Sequence, residues 1–319
     1  MNIVFLGSGD IGLPSLKWLL DAPDLAVSMV VTQPDRAAGR GLAVRTSHIK
    51  ELALSRGLEI FQPPKIRVAE AVARITALQP DLLVVMAYGQ ILPQLLLDVP
   101  RLGALNLHAS LLPRHRGAAP VHAAILSGDS ASGITCMWMD AGLDTGDMLL
   151  QREIAIAPEE TAGSLHDRLA ELAPVVLAES LSLIREGRAP RTKQNEGQAT
   201  YAPKLDRNFG RIGWSASAAD IAQLVRAMHP WPGCSADLVM EDGKTIPLKL
   251  HRAAAAPGSS APGSIADCLR VGCAGGGLLE ILEVQAPGGR AMSAHEFLRG
   301  HTVSHFVAAS NQQQQQAQQ

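Results

Sequence analysis

Short, mainly apolar runs recur through the first half of the chain, at residues 3–6, 27–32, 82–87 and 104–108. Between them, apolar positions at 13–20, 49–56 and 68–78 fall at helical spacing. A run without polar interruption suits a strand covered on both faces, and runs alternating with helices predict a mainly parallel α/β sheet. The stretch 161–186 reads as a long helix that closes this domain, assigned to residues 1–187. Residues 188–208, charged and containing Pro190 and Pro203, read as a linker. The pattern then changes: a helix over 216–228 is followed by short runs at 236–240, 246–252, 269–273 and 278–284. That spacing predicts a smaller β-barrel domain over 209–309. Ser293-Ala294-His295-Glu296 has the form of a capping box opening a last helix. The closing residues 310–319, rich in glutamine, predict a disordered tail.

Composition supports the two-domain reading, since 319 residues exceed what one core usually organises and 47% of them are apolar. No apolar run approaches the ~20 residues of a membrane span. The first strand begins one residue after Met1, which leaves no room for a targeting segment and predicts a cytoplasmic protein. Cys136, Cys234, Cys268 and Cys273 show no metal-type pairing, which suits a reducing compartment and argues against zinc. Cys268 and Cys273 are expected in the barrel core. A net charge of -2 gives no global attraction to nucleic acid, so any RNA contact must come from local patches.

In a parallel α/β sheet, ligands bind beyond the carboxyl ends of the strands, which places Gly7, Tyr88 and residues 106–113 around one cleft. Asn106 and His108 share parity, so an extended strand points both to the same face. Asp144 lies between Gly142 and Gly146. Singly these are ordinary strand-end and turn residues. Together, an amide, an imidazole and a carboxylate can polarise a carbonyl and manage the proton of an attacking amine, which is acyl-transfer chemistry. Gly7-x-Gly9-x-x-Gly12 has the form of a dinucleotide fingerprint, but the acid that should end the second strand is missing, and Asp35 comes only after Pro34. A tight strand-to-helix turn is the better reading. The acids Asp140, Asp144 and Asp147 fit no EF-hand spacing, and no metal is expected.

Four segments carry a resemblance. Asn106-x-His108-x-Ser110-Leu111-Leu112-Pro113, Arg116-Gly117-Ala118-Ala119-Pro120, Gly133-Ile134-Thr135 and Asp140-x-Gly142-Leu143-Asp144-Thr145-Gly146-Asp147 together resemble the signature of folate-dependent formyltransferases. Three more segments are similar to the methionyl-tRNA formyltransferase family in particular: Thr32-Gln33-Pro34-Asp35-Arg36 with Gly39-Arg40-Gly41, Ile212-Gly213-Trp214-Ser215, and Pro230-Trp231-Pro232-Gly233. The resemblance covers residues 1–307. It implies a Rossmann-like formyltransferase domain with a smaller C-terminal OB-like β-barrel. The reaction it implies moves the formyl group of 10-formyltetrahydrofolate to the α-amino group of methionyl-tRNA(fMet).

The same resemblance implies roles for individual residues. Asn106 and His108 would hold the developing oxyanion, while Asp144 takes the ammonium proton and keeps His108 cationic. The folate-binding positions carry over to Gln90, Ile91, Leu92, Ser110, Leu111, Leu112, Pro113 and Asp140, although Ile91 and Leu92 also read as ordinary core. Ile11 stands where the family often has an aromatic residue. Arg36, Arg40, Arg45 and Lys50 form a basic, glycine-containing loop that would meet the acceptor stem, with Leu42 and Ala43 where relatives often carry a lysine pair. Arg188, Arg191 and Lys193 in the linker and Lys249 on a barrel strand would extend the track, aided by the Trp214 and Trp231 motifs. The implied partner is methionyl-tRNA, with no DNA, no membrane and a monomeric enzyme. Two other readings stay open, an amino-sugar nucleotide N-formyltransferase and a non-catalytic RNA-binding module.

Overall fold

The apolar runs of the first half become adjacent strands of one sheet. The computed structural model describes residues 1–38 and 43–307; Gly39, Arg40, Gly41, Leu42 and the glutamine-rich tail lie outside the described residues. The chain divides into two units, the first made of residues 1–121, 130–155 and 165–203, the second of 122–129, 156–164 and the residues from 204 onward.

Up to residue 203 the elements are β1 (Asn2–Gly7), α1 (Leu13–Asp21), β2 (Ala26–Val31), β3 (Arg36–Ala38), β4 (Ala43–Arg45), α2 (His48–Ser55), β5 (Ile60–Phe61), α3 (Ala69–Thr76), β6 (Leu82–Met86), α4 (Gln94–Leu97), β7 (Gly103–His108), β8 (Arg116–Gly117), α5 (Pro120–Leu126), β9 (Ala131–Trp138), β10 (Met148–Ala155), α6 (Ala162–Arg185) and β11 (Tyr201–Ala202). The main sheet has the order β10-β9-β7-β6-β1-β2-β5. It is parallel from β5 to β7, and β9 and β10 complete it as an antiparallel edge. Val4, Leu6, Met29, Val31, Leu83 and Val85 pack on one face against Ala71 and Ile75 of α3 and Leu96 of α4. Their alternates Ile3, Phe5, Val30, Leu82 and Val84 are equally buried. Both faces are therefore covered, the condition under which parallel strands read as unbroken apolar runs.

The glycine fingerprint serves the fold. The amides of Ser8 and Gly9 both donate to the Ala87 carbonyl, each at 3.2 Å. A Cβ on Gly7 would lie 2.6 Å from the Phe5 ring and 2.9 Å from the Met86 carbonyl. Close packing of the turn against the end of β6 thus engages the amides that a pyrophosphate would require.

The segment read as a linker is docked. Thr192 exchanges two backbone hydrogen bonds with Met148 (2.8 and 3.0 Å), and β11 pairs in parallel with β8. Its polar residues grip the first unit and do not merely solvate a tether, so residues up to 203 belong to that unit.

The second unit contains α7 (Ala218–Ala227), β12 (Cys234–Met240), β13 (Thr245–Ala256), β14 (Ile265–Asp267), β15 (Arg270–Cys273), β16 (Gly277–Gln285), β17 (Met292–Ser293), α8 (Ala294–Gly300) and β18 (Val303–Phe306). Its antiparallel sheet runs β14-β15-β16-β13-β12-β18, and a bridge between Ser264 and His305 brings its two ends together into a nearly closed barrel. The capping box is present: the Ser293 hydroxyl accepts from the Glu296 amide, and the Glu296 carboxylate accepts from the Ser293 amide, both at 3.1 Å. Trp214 is 1% exposed and its ring lies 4.9 Å from that of Phe306, so this motif residue is barrel core and not an RNA contact. Trp231, by contrast, is exposed.

Cys268 departs from its expected place. Asp267 pairs with Arg270, which makes Cys268 and Leu269 a two-residue turn in which Leu269 points inward and Cys268 is exposed. Cys273 is buried as expected. Burial pushes the Cys136 and Cys234 thiols up to about 12 and raises that of Cys273. At pH 8 their thiolate populations are therefore small, and the thiolate is the reactive form. Iodoacetamide treatment of the native protein followed by peptide mapping is expected to label Cys268 alone; equal labelling of Cys136 or Cys234 would contradict this packing. Among the described residues no helix is long and apolar enough to cross a membrane, and no cluster of His, Cys, Asp and Glu is arranged to hold a metal.

Candidate active site

β7 carries Asn106 and His108 on one face, 8% and 5% exposed, and the loop between β9 and β10 brings Asp144 to them. Asn106 Nδ2 donates to Asp144 Oδ1 at 3.3 Å, and His108 Nδ1 lies 3.6 Å from Asp144 Oδ2. The Gly117 amide donates to the same Oδ2 at 2.8 Å. On the far side of the imidazole, Nε2 lies 2.8 Å from the His115 carbonyl. A carbonyl can only accept, so Nε2 carries its hydrogen, and Nδ1 is the ring nitrogen that faces the carboxylate. An amide donor, an imidazole and a proton-accepting carboxylate thus meet within one shell of contacts.

The Asp144 loop is built for that placement. Asp144 sits in the left-handed region (φ 54°), sparsely populated by non-glycine residues. Two residues on, a Cβ on Gly146 would lie 1.7 Å from the Trp138 carbonyl, so only glycine fits there. Asp140 Oδ1 closes the start of the loop, accepting from the Gly142 amide (3.0 Å) and the Thr145 hydroxyl (2.7 Å). The expected ligand residue Asp140 is therefore a loop organiser in this structure.

The segment after β7 is similarly tied down. Ser110 is fully buried, and its hydroxyl donates to the Arg114 carbonyl at 2.6 Å. Thr135 donates to the Ser110 carbonyl at 2.6 Å and accepts from the Leu112 amide at 3.1 Å, while Gln151 donates to the Leu112 carbonyl at 2.8 Å. Leu112 and Pro113 are buried and Leu111 is half-buried. In the loop after β6, Gln90 accepts from the Ile66 amide (2.8 Å) and donates to the Pro63 carbonyl (3.3 Å). Leu92 joins the core at 3% exposed, so its core reading holds, whereas Ile91 is 75% exposed and is not core.

The basic residues separate into distinct groups. Arg40 lies outside the described residues. Arg36 and Arg45 are paired positions on the β3–β4 hairpin, where an open loop was expected. Lys50 is occupied: its ammonium pairs with Asp35 and donates to Gln62 Oε1 at 2.7 Å, and Gln62 Nε2 returns to Asp35 Oδ1 at 3.0 Å. That contact holds the Asp35 carboxyl below its usual range, with Gln62 adding to the effect. Lys50 thus closes the neck of the hairpin and its charge is neutralised there. Arg188 pairs with Glu186, and Arg191 lies 4.3 Å over the Trp138 ring. Lys193 and, in the second unit, Lys249 are exposed.

Sequence reasoning missed two members of the site. Arg116 is fully buried; its Nε and Nη2 donate to Gln194 Oε1 at 3.0 and 2.8 Å, and Nη1 and Nη2 donate to Glu196 at 2.9 and 2.7 Å. This pairing holds the Glu196 carboxyl below its usual range. Gln194 in turn reaches the Asp144 loop. Arg116 stood inside a motif rich in glycine and alanine, a signal that a lone charge there has an internal partner. Gln194 had none.

Two family models match the chain, Formyl transferase over residues 1–181 and Formyl transferase, C-terminal domain, over residues 204–302. A methionyl-tRNA formyltransferase of Geotalea uraniireducens is 44% identical over 308 residues, covering 95% of this chain and 96% of its own. One from Pseudomonas paraeruginosa is 46% identical over 296 residues, covering 92% and 94%. Among solved structures, an N-formyltransferase of Helicobacter canadensis in complex with folinic acid and dTDP-3-aminofucose has a TM-score of 0.62 at 15% identity, over 89% of this chain and 98% of that one. HypX of Aquifex aeolicus in complex with tetrahydrofolic acid has a TM-score of 0.57 at 18% identity, over 93% of this chain and 46% of that one. At those identities the structural likeness concerns the fold.

Proposed function

The chain belongs to the formyl transferase family, and on that premise we propose that Asn106, His108 and Asp144 catalyse its reaction, with the roles given below. The reaction is transfer of the formyl group of 10-formyltetrahydrofolate to the α-amino group of methionyl-tRNA(fMet), which yields the formylated initiator. The observation that supports the three-residue assignment is their convergence, with contacts of 3.3 and 3.6 Å to a single carboxylate. The acceptor follows from relatives that are 44 and 46% identical along nearly the whole chain, whereas the Helicobacter canadensis N-formyltransferase complexed with dTDP-3-aminofucose shares 15%. The same reading has the enzyme working as a monomer in the cytoplasm, on tRNA and not on DNA or a membrane.

The folate supplies a formyl carbon open to attack. A free α-amino group titrates near ~8, so much of the nucleophile is neutral at pH 7, and its activation is a minor task. The larger task is the charge that separates on attack. Negative charge gathers on the formyl oxygen, where Asn106 Nδ2 and a protonated His108, through its Nδ1–H, are the donors. The amine becomes cationic, and Asp144 takes its proton directly or through water; the intermediate then collapses, the bond between the formyl carbon and N10 of the folate breaks, and N10 takes a proton and leaves as tetrahydrofolate. Losing one oxyanion donor typically costs ~3 to 4 kcal/mol of barrier, while holding two substrates together is worth ~7 to 11 kcal/mol. Binding should therefore outlast loss of any one catalytic group. Ile91 and Leu143, exposed on loops of the first unit, supply apolar surface for a flat pterin. The side chains of Gln90, Leu92, Ser110 and Asp140 act indirectly, by fixing the loops whose backbone meets the folate.

The deciding assay offers labelled formyl-folate to charged initiator tRNA, free methionine and amino-sugar nucleotides. Transfer to the charged tRNA alone is expected, and transfer to a sugar would overturn the assignment. For tRNA binding, Lys193 and Lys249 remain exposed contacts, Arg36 and Arg45 belong to the hairpin, and Arg188 and Arg191 require release from their present partners. Phosphate contacts of this kind make affinity fall steeply with salt, by at least roughly tenfold between 50 and 200 mM for several contacts. A flat salt response in a filter-binding titration would remove the basic track.

A further inference from the structure

We propose that Gln194 is a positioning residue for Asp144, so that the docked segment carrying it is part of the catalytic apparatus; the proposal rests on the reading of Asp144 as the proton acceptor. Gln194 Nε2 donates to two carbonyls of one loop, those of Asp144 and Gly146, each at 2.8 Å. Both hydrogens of one amide thus span the turn in which Asp144 adopts its left-handed backbone. Gln194 cannot flip, because its Oε1 receives two N–H groups from Arg116. A guanidinium offers donors only, so Oε1 must face it and Nε2 must face the carbonyls. Gln194 is 8% exposed, and a buried amide with both ends matched is a specified contact, not a solvated one.

The other grip on Asp144 starts from the same place. Gly117, next to Arg116, donates its amide to Asp144 Oδ2 at 2.8 Å. Residues 116 and 117 therefore hold the carboxylate directly and the Asp144 backbone through Gln194. The docked segment is registered on this pair, since Arg116 and Gly117 align with Tyr201 and Ala202. A Cβ on Gly117 would lie 2.5 Å from the Ala202 carbonyl, which leaves no slack between the two strands. The arrangement sets both the direction of the carboxylate and the backbone on which it stands.

Steady-state kinetics of the full-length Gln194→Glu, Gln194→Met and Asp144→Asn variants test this. Gln194→Glu keeps an acceptor for Arg116 but turns an oxygen toward the two carbonyls. The expected result is a fall in kcat of roughly 30- to 100-fold, the size of an ångström-scale misplacement, with KM for folate and for tRNA within about threefold. Gln194→Met, apolar and of similar length, is expected to show the same split and serves if the glutamate variant folds poorly. Rates are referred to the folded fraction from circular dichroism melts. A loss of kcat that vanishes after this correction, or one replaced by a rise in KM alone, overturns the proposal. Wild-type kcat in both Gln194 variants with Asp144→Asn inactive overturns it while leaving the catalytic assignment standing. Near-normal turnover by Asp144→Asn refutes the reading of Asp144 as proton acceptor instead.

Discussion

Asp144→Asn is expected to lower kcat by about three orders of magnitude while folate binding persists. The substitution keeps the side chain's shape and an oxygen to accept from the Gly117 amide, which now lies 2.8 Å from Oδ2. It removes the proposed proton acceptor and the negative charge beside the His108 ring. A positioned acid or base contributes roughly 10² to 10⁴ in rate, and a factor of 10³ corresponds to ~4 kcal/mol of barrier. Asn106→Ala and His108→Ala are expected to lose ~10² to 10³ through the oxyanion. Because Asn106 and His108 both contact Asp144, double variants should lose less than the sum of the single effects. Single-turnover formyl transfer with labelled donor, beside equilibrium binding of the folate, separates chemistry from binding. Near-normal turnover in any two of the three single variants rejects the assignment.

Trp214→Ala is expected to destabilise the second unit by ~3 to 5 kcal/mol, the range for deleting a large buried aromatic. The ring is 1% exposed, lies against Phe306 of β18, and has Gly263 beneath it, where an added Cβ would come within 3.4 Å of the indole. The cavity opens where β18 and the segment before β14 bring the ends of the barrel together. At ~4 °C per kcal/mol for a unit of this size, the melting transition should fall by more than ~10 °C. Trp214→Phe, which leaves most of the ring in place, should cost much less. Scanning calorimetry of the two variants checks the ranking; equal small effects would show that the indole is not central to this core.

What the sequence revealed follows from how each feature is held together. β1 and β6 were legible because burial on both faces writes itself as a continuous apolar run, and β2 and β7 as runs broken only by Ser28 and by Asn106 and His108. β10 was not: Met148-Leu149-Leu150-Gln151-Arg152-Glu153-Ile154-Ala155 lies at the sheet edge, half exposed, and its polar positions hide the strand. That Asn106 and His108 share a face was legible by parity, whereas the meeting of Asp144 with them was carried by the resemblance of its motif. Lys50 was misread because a charge was counted without its neighbours; Asp35 and Gln62 reach it through tertiary structure. Gln194 left no trace because its partners Asp144 and Gly146 lie 50 and 48 positions away, and hydrogen bonds at that distance create no periodicity. The linker was misjudged for the same reason, since the polar residues that suggested solvent are what dock it.

The docking of β11 onto β8 also bears on the order in which the molecule is made. A ribosome has released every strand of the first sheet once Ala155 has emerged, yet the partner of Arg116 and the strand that lies against Gly117 are still to come. The nascent chain can assemble a complete sheet before its carboxylate loop is braced. The brace on the Asp144 loop is then complete only after Ala202, at the start of the long C-terminal stretch of the second unit.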